Sequence, residues 1–564
     1  MKTLFLFWFC LITVIVQAQH EFNIVREEIM IPMRDHVKLG AIVYRPESSG
    51  KFPALVYRTP YGVDAYESHD DFPLKAAKQG YLVFLVDVRG RYRSEGKFEA
   101  YRNEKHDGYD VIEWVAQYPN CNGKVGTYGG SYPGIVQWQA MSEVPPHLIA
   151  AAPEMTPIGS HHFMFNGGAF SHPWIDWFAM NIVEDLAKQN WKESERRAWY
   201  NYRPLADLPL LKKYAPEYYQ WLAHPDSSSW WDFLNMEGDF RKFKNPVFVE
   251  SGWYDAAYGP EGATRAFNKI RSGSPSPVAV EESRLMLGPW NHTSLNVRKT
   301  KYGEIDFGLN AGIDYDAELL RFFDRHLNNL PNGTSLPRVS IFVMGENKWR
   351  EEKEWPLERT VYTSYYLHSD RSLSGILPGN EKPDSYVFNP GKPFWDKSAD
   401  KSTPYDQREN ESGSDVIVYT SEVLVNDMEV TGEVAMELFV SSTAKDTDFT
   451  FTLCDVFPDG RSINLHGLDA GYLRMRYRNS LARQELMKPG ETYKIRIANV
   501  YTSNLFRKGH RIRVYVTSSK APHYDPNPNT GTEIVTEKNL VPATNSVYHE
   551  ESKPSRIILP VIPR

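Results

Sequence analysis

The sequence predicts an α/β protein: a mostly parallel sheet covered by helices on both faces, interrupted by a helical insertion and followed by an all-β domain. Three observations carry this expectation. Short apolar runs alternate with helically spaced stretches over the early part of the 564-residue chain. That rhythm stops over 156–244, a Trp-rich segment, and then returns. From about residue 338 onward, helical signals almost vanish and period-two patterns take over.

The elements follow in order. An alternating pattern over 29–45, broken at Arg34-Asp35, reads as antiparallel edge strands. Strand candidates follow at 52–57 and 81–88, the second without a charge until Asp87. Tyr109, Ile112 and Val115-Ala116 recur at helical spacing within 106–117. A short strand at 124–128 runs into glycines, a helix covers 135–141, and 148–152 is strand again. The insertion holds Trp174, Trp177, Trp191, Trp199, Trp221, Trp230 and Trp231 among charged residues, which predicts helices lying over the sheet. Strands return at 246–250 and 284–287, and a helix over 316–327 followed by the loop signal Asn332-Gly333 closes this part. In the last part Val434, Met436, Leu438 and Val440 alternate with Ala435, Glu437 and Phe439. Ile512, Val514 and Val516 alternate with Arg513 and Tyr515, and turns such as Pro458-Asp459-Gly460 punctuate the runs, predicting a β-sandwich or jelly roll. The expected borders are therefore 19–155 and 245–337 for the two portions of the α/β domain, 156–244 for the insertion and 338–564 for the β domain.

The start of the chain has a different character. Lys2 precedes an apolar run over 4–16 and the small residue Ala18, the pattern of a signal peptide over 1–18 cleaved before Gln19. The run is too short for a membrane span, so an exported protein, periplasmic or secreted and without a span after cleavage, is expected. Beyond Cys10 in that run, only Cys121 and Cys454 remain, too few and too far apart for a disulfide framework or a zinc pattern. The net charge of -7 comes without a basic stripe, which argues against nucleic acid as a partner. Aromatic residues make up 13% of the chain, enough to predict aromatic-walled cavities.

The chemistry centres on Gly129-Gly130-Ser131-Tyr132-Pro133-Gly134, between a strand and a helix. A serine at such a sharp turn projects its hydroxyl above the sheet, and the crowded turn requires small neighbours. In this kind of fold the serine should be followed by an acid and then a histidine, each just past a strand. Asp255 follows the strand candidate 246–250, and His292 follows 284–287. Both therefore fall at carboxyl ends of strands, where open α/β sheets place their chemistry. A serine hydroxyl holds its proton too tightly to attack at neutral pH, so His292 is expected to take it and Asp255 to orient the imidazole. The backbone N–H of Tyr132 is one expected oxyanion donor. Tyr61, in the loop Arg58-Thr59-Pro60-Tyr61-Gly62, is either a second donor or a loop aromatic packed on the core.

These stretches, together with Asp87-Val88-Arg89-Gly90, Cys121-Asn122-Gly123-Lys124-Val125-Gly126, Gly252-Trp253-Tyr254-Asp255 and Gly288-Pro289-Trp290-Asn291-His292, resemble the cocaine esterase/X-Pro dipeptidyl-peptidase superfamily of serine hydrolases (the CocE/NonD family). The later stretches Asp446-Thr447-Asp448-Phe449, Pro458-Asp459-Gly460-Arg461 and Lys508-Gly509-His510-Arg511-Ile512 are similar to the same family. The resemblance covers nearly the whole mature chain. It implies an α/β-hydrolase domain with an inserted helical cap and a C-terminal jelly roll, the triad Ser131, Asp255 and His292, and Tyr61 as an oxyanion donor. Gly134 at the third position after the serine is the family's own spacing. For Arg89 it suggests a structural partner rather than a catalytic task. One departure stands out. The α-amino acid ester hydrolases of this superfamily carry carboxylates just after the triad aspartate to hold the substrate ammonium, where this chain has Ala256, Ala257 and Tyr258. Their cap aspartate is also unmatched by His162, Phe163 and Met164 before Gly168-Ala169-Phe170. Unless Glu154 or Glu261 substitutes, α-amino esters are disfavoured.

The expected function is hydrolysis of an ester or amide of a small acyl compound through an acyl-enzyme on Ser131. The alternatives are an X-Pro dipeptidyl-peptidase releasing N-terminal dipeptides and a catalytically inert binding module. The expected partner is a small molecule or short peptide. No metal or organic cofactor is implied, and the sequence carries no signal for oligomeric state.

Overall fold

Ten strands build the first sheet of the computed structural model, which describes residues 21–159, 164–292, 299–330, 336–396, 403–468 and 470–564. The expected signal peptide and the Asn332-Gly333 loop lie outside the described residues. The strands are β1 (Ile24–Pro32), β2 (Lys38–Pro46), β3 (Phe52–Thr59), β4 (Leu82–Asp87), β5 (Cys121–Gly130), β6 (Leu148–Glu154), β7 (Phe248–Gly252), β8 (Arg284–Gly288), β9 (Val339–Val343) and β10 (Lys348–Glu352). They lie in the order β1-β2-β4-β3-β5-β6-β7-β8-β9-β10. β1 and β2 form an antiparallel edge, β10 closes the other edge antiparallel, and the strands from β4 to β9 are mutually parallel. Every residue of β4, β7 and β8 is buried, as expected of strands covered on both faces. The covering helices include α1 (Phe72–Lys78), α2 (Glu104–Ala116), α3 (Tyr132–Ser142), α4 (Gly259–Gly273) and α5 (Tyr315–Leu327).

The border expected between 337 and 338 falls two strands early. β9 pairs parallel to β8, and β10 pairs antiparallel to β9, so both belong to the first sheet. Period-two patterning identifies a strand but not the sheet it joins, and the end of helical signals after α5 coincides with one more parallel strand.

The insertion folds as short helical pieces, including Pro173–Trp177, Glu193–Tyr200 and Pro216–Leu222, with a π-helical turn at Phe178–Ile182. Most of its tryptophans are structural. Trp221 and Trp231 are almost fully buried, pack edge-on at 6.0 Å, and give the cap a core of its own.

Twelve of the strands from Val361–Leu367 to Arg556–Ile562 form a second sheet with a separate apolar core, the jelly-roll part of the fold, and His549–Glu550 pairs with Lys553–Pro554 in a small ladder of its own. Val434, Met436, Leu438 and Val440 point into that core. A register shift between Val434 and Met436 explains why Ala435 is also buried despite the alternation. Cys121 and Cys454 are both free and buried.

The β domain also clamps the cap. His523 accepts a hydrogen bond from the backbone N–H of His172 at 2.9 Å, and Gly167 accepts one from Arg474 N–H at 2.8 Å. Arg203 pairs with the buried Asp525 at 2.6 Å.

Candidate active site

Ser131 sits at the turn from β5 into α3 with φ 62° and ψ -126°, a strained conformation for a residue bearing a side chain. Local crowding explains the glycines around it. A Cβ on Gly129 would stand 2.7 Å from the Tyr57 ring, and one on Gly134 only 2.4 Å from Thr156 Cγ2. The turn is held by hydrogen bonds from Ser131 N–H to the Glu154 carbonyl at 3.0 Å and from Ile135 N–H to the Ser131 carbonyl at 2.9 Å.

The loops that carry Asp255 and His292 are stitched to each other just past β7 and β8. Trp253 N–H donates to the Gly288 carbonyl and Tyr254 N–H to the Trp290 carbonyl, each at 2.9 Å. The backbones come so close that a Cβ on Gly252 would lie 2.1 Å from the Trp290 carbonyl oxygen. The Trp253 indole donates to the Phe342 carbonyl in β9 at 3.0 Å, and the Tyr254 hydroxyl donates to the Asn464 carbonyl at 3.0 Å. The second of these bonds braces the acid loop against the β domain.

These anchors bring the three distant residues together. His292 Nε2 lies 2.9 Å from Ser131 Oγ, and His292 Nδ1 lies 2.9 Å from Asp255 Oδ1. Asp255 is fully buried, and its Oδ1 also accepts the N–H groups of Ala257 at 2.8 Å and Tyr258 at 3.3 Å. Burial lowers the His292 pKa, but the charge of Asp255 and its hydrogen bond outweigh that effect, and the net shift is upward from the ordinary 6.5. The arrangement can move a proton from a hydroxyl to an imidazole whose positive charge is then stabilised by a buried carboxylate.

Tyr61 and Tyr132 occupy different positions beside the serine. The Tyr61 hydroxyl accepts a hydrogen bond from the Trp177 indole at 3.0 Å, so its own proton is free to be donated elsewhere. Burial pushes its pKa up to about 12, which keeps that proton in place. The Tyr132 side chain is turned inward. Its hydroxyl donates to Glu104 Oε1 at 2.9 Å and accepts from Tyr101 N–H at 3.0 Å, so only its backbone N–H, in the first turn of α3, is available at the site. Glu104 in turn pairs with Arg58, and this buried network ties the Tyr61 strand to the serine turn.

Comparison with known proteins follows the same architecture. The family model described as X-Pro dipeptidyl-peptidase (S15 family) matches residues 35–294, and that of the X-Pro dipeptidyl-peptidase C-terminal non-catalytic domain matches 332–558. The cocaine esterase of Rhodococcus sp. (strain MB1 Bresler) is 34% identical, over 96% of this chain and 99% of its own. The chain belongs to this family. It is a serine hydrolase. Among solved structures, an aminopeptidase from a marine sediment Thaumarchaeota archaeon superposes with a TM-score of 0.85 at 25% identity, covering 96% of this chain and 97% of its own. An α-amino acid ester hydrolase superposes at 0.84 with 25% identity, covering 97% of this chain and 98% of its own.

Within this family the chain has features that sequence reasoning did not assign. Trp177 anchors the Tyr61 hydroxyl, and Arg91 ties the Tyr61 loop to the cap by donating to the carbonyls of Pro60 at 2.9 Å and Ile182 at 2.7 Å. No short motif marks either residue, because both partners are supplied by distant segments. Tyr258 packs edge-on against the His292 ring at 5.4 Å. Arg89 pairs with Asp107 at 2.6 Å and Asp35 at 2.7 Å. Of the two carboxylates considered as substitutes, Glu261 is taken up by Arg265 at 2.7 Å, whereas Glu154 lines the cavity that opens at Ser131. His162 and Phe163 lie outside the described residues. Of the cap tryptophans, only Trp174 and Trp177 line the cavities at Ser131 among the described residues, so the cap aromatics shape the pocket less than their number suggests.

Proposed function

We propose that the protein hydrolyses an ester, or an amide, of a small acyl compound through an acyl-enzyme on Ser131. The unbroken relay from Ser131 to His292 to Asp255, with both links at 2.9 Å, carries this reading. Ser131 Oγ attacks the carbonyl carbon while His292 Nε2 takes its proton. The negative oxygen of the tetrahedral intermediate faces Tyr132 N–H and the Tyr61 hydroxyl. As the carbonyl re-forms, the leaving group departs with the proton from His292. Water then gives a proton to His292, attacks the acyl carbon and releases the acid, restoring Ser131. The charged start followed by an apolar run supports an exported enzyme, periplasmic or secreted. Among the described residues no helix is long and apolar enough to cross a membrane.

The family matches over both parts of the chain favour a second reading, release of N-terminal X-Pro dipeptides. Parallel assays with nitrophenyl acyl esters and with Ala-Pro and Gly-Pro anilides separate the two. Turnover of esters without anilides supports the first reading, and the reverse supports the second. A protein that cleaves neither and does not react with a fluorophosphonate overturns both.

The pH profile tests the base. Only neutral imidazole accepts the Ser131 proton, and its pKa is raised in the fold. Activity is therefore lost as pH falls, and the acid limb of kcat/KM for an uncharged ester should have its midpoint above the ordinary 6.5 of a histidine. A midpoint well below that value would remove the Asp255 contact from the working enzyme.

A further inference from the structure

Tyr258 touches all three members of the relay, yet the relay itself gives it no task. Its backbone N–H donates to Asp255 Oδ1 at 3.3 Å, and its ring stands edge-on to the His292 ring at 5.4 Å. Its hydroxyl faces Ser131. The position is fixed from several sides. Tyr258 is buried just before α4, and its ring also packs against Trp174 at 6.4 Å.

Two tyrosine hydroxyls therefore approach the nucleophile, and they do so from different cavities. Tyr61 lines one of about 490 Å³, whereas Tyr258 lines a smaller one of about 130 Å³. Ser131 and His292 line both. A substrate carbonyl oxygen held by Tyr61 and Tyr132 N–H thus leaves the Tyr258 hydroxyl facing Oγ itself.

The proton positions follow from a count of donors. Ser131 Oγ sends its proton to His292 Nε2 at 2.9 Å, because Nδ1 keeps its own for Asp255. Between Tyr258 and Ser131 the donor must then be Tyr258. Tyr258 also faces the Tyr101 hydroxyl, and with its one proton directed at Ser131 it can only accept there. The order runs from Tyr101 to Tyr258 to Ser131, a chain in which each bond polarises the next. Burial holds both tyrosines well above the ordinary pKa of 10, so the chain keeps its protons.

Tyr101 is firmly held. Its φ of 64° is strained for a residue with a side chain, and such strain persists only where the surroundings enforce it. Its N–H donates to the Tyr132 hydroxyl at 3.0 Å, its carbonyl accepts from Gln139 at 2.8 Å, and its ring stacks on Tyr132 at 4.0 Å.

We propose that Tyr258 is a further catalytic residue, donating to Ser131 Oγ a hydrogen bond that acts when Oγ leaves in deacylation, with Tyr101 as the positioning residue behind it. The proposal rests on the hydrolase reading. Only an interaction that strengthens on the way to the transition state speeds a step. In the free enzyme Oγ is a hydroxyl oxygen and already a good acceptor, so acylation gains little. In the acyl-enzyme Oγ is the single-bonded oxygen of an ester, a poor acceptor. As the second tetrahedral intermediate collapses, the bond from Oγ to the acyl carbon breaks and its electron pair stays on Oγ. His292 Nε2 gives Oγ the proton taken from water, and Tyr258 keeps its own proton throughout. The hydrogen bond to Oγ is strongest in that step, where charge develops on its acceptor.

Tyr258→Phe, assayed on the full-length protein with a nitrophenyl ester, is the test. The good leaving group makes acylation fast, so rapid mixing separates a burst of nitrophenolate from the slower turnover. The deacylation constant should fall about tenfold and the acylation constant no more than about threefold. kcat and KM should then fall together, and the acyl group should accumulate on Ser131 as added mass on the intact protein. Tyr101→Phe should show the same split, severalfold in size. Equal losses in both constants, or an unchanged deacylation constant, would overturn the proposal. If Tyr258→Phe loses its fold, seen as a collapsed melting point and lost fluorophosphonate labelling, Tyr101→Phe decides. It leaves the Tyr258 hydroxyl in place, and the absence of a selective loss in deacylation there overturns the proposal. Failure of the hydrolase reading looks different, because the parent protein then releases no nitrophenolate and a fluorophosphonate leaves Ser131 unlabelled.

Discussion

Ser131→Ala is expected to lower kcat by about 10⁶-fold, the scale on which removal of a serine nucleophile acts. The loss should be confined to chemistry. Oγ bonds His292 and faces the hydroxyls of Tyr61 and Tyr258, whereas the turn itself is held by backbone bonds to Glu154 and Ile135 that alanine retains. Alanine also adopts the strained φ of 62° at a cost similar to that of serine. The thermal unfolding midpoint should therefore stay within a few degrees of the parent, and fluorophosphonate labelling should disappear. Residual turnover within an order of magnitude of the parent would move the nucleophile away from Ser131.

Tyr61→Phe is expected to lower kcat by about 10²–10³-fold with little change in KM, the cost of losing one oxyanion donor. The hydroxyl receives its hydrogen bond from Trp177 and keeps its own proton at any working pH, so it is poised to donate. Phenylalanine preserves the ring and its edge-on contact with Tyr132 at 6.3 Å. The substitution also leaves the Trp177 indole without its acceptor, a stability cost of about 1 kcal/mol that a thermal melt would register separately. An unchanged kcat in a folded Tyr61→Phe variant would sink its assignment as a donor and leave it as a loop aromatic packed on the core.

The two substitutions probe parts of the site that differ in how readable they are. Ser131, Asp255 and His292 stand at strand ends in the chain order this sheet topology demands, and glycines mark each of their loops because those backbones cross at contact distance. Tyr61 could be located in its loop from sequence, but the hydrogen bond that leaves its proton available comes from the cap residue Trp177, 116 positions away. The Arg58–Glu104–Tyr132 network is equally silent in sequence, since a buried arginine and a buried glutamate look like surface charges until they meet.

The cap is the part where composition misleads. Its seven tryptophans suggest a large aromatic pocket, yet residues such as Trp221 and Trp231 are used to bury the cap's own short helices. Small helical pieces have little apolar surface of their own, and large rings supply it.

By itself, the sequence determines what is local: the alternation that makes a covered parallel sheet, the glycines that let a serine stand at a sharp turn, and the placement of an acid and a histidine after successive strands. Only the tertiary structure decides which sheet the strands after α5 join, which tryptophans face substrate and which carboxyls remain uncommitted. Glu154 and Glu261 are indistinguishable as letters. One is neutralised by Arg265, and the other faces a cavity beside Ser131. The physical reason is that the charge state and availability of a side chain are set by its neighbours in space, and those neighbours come from segments that no periodicity connects.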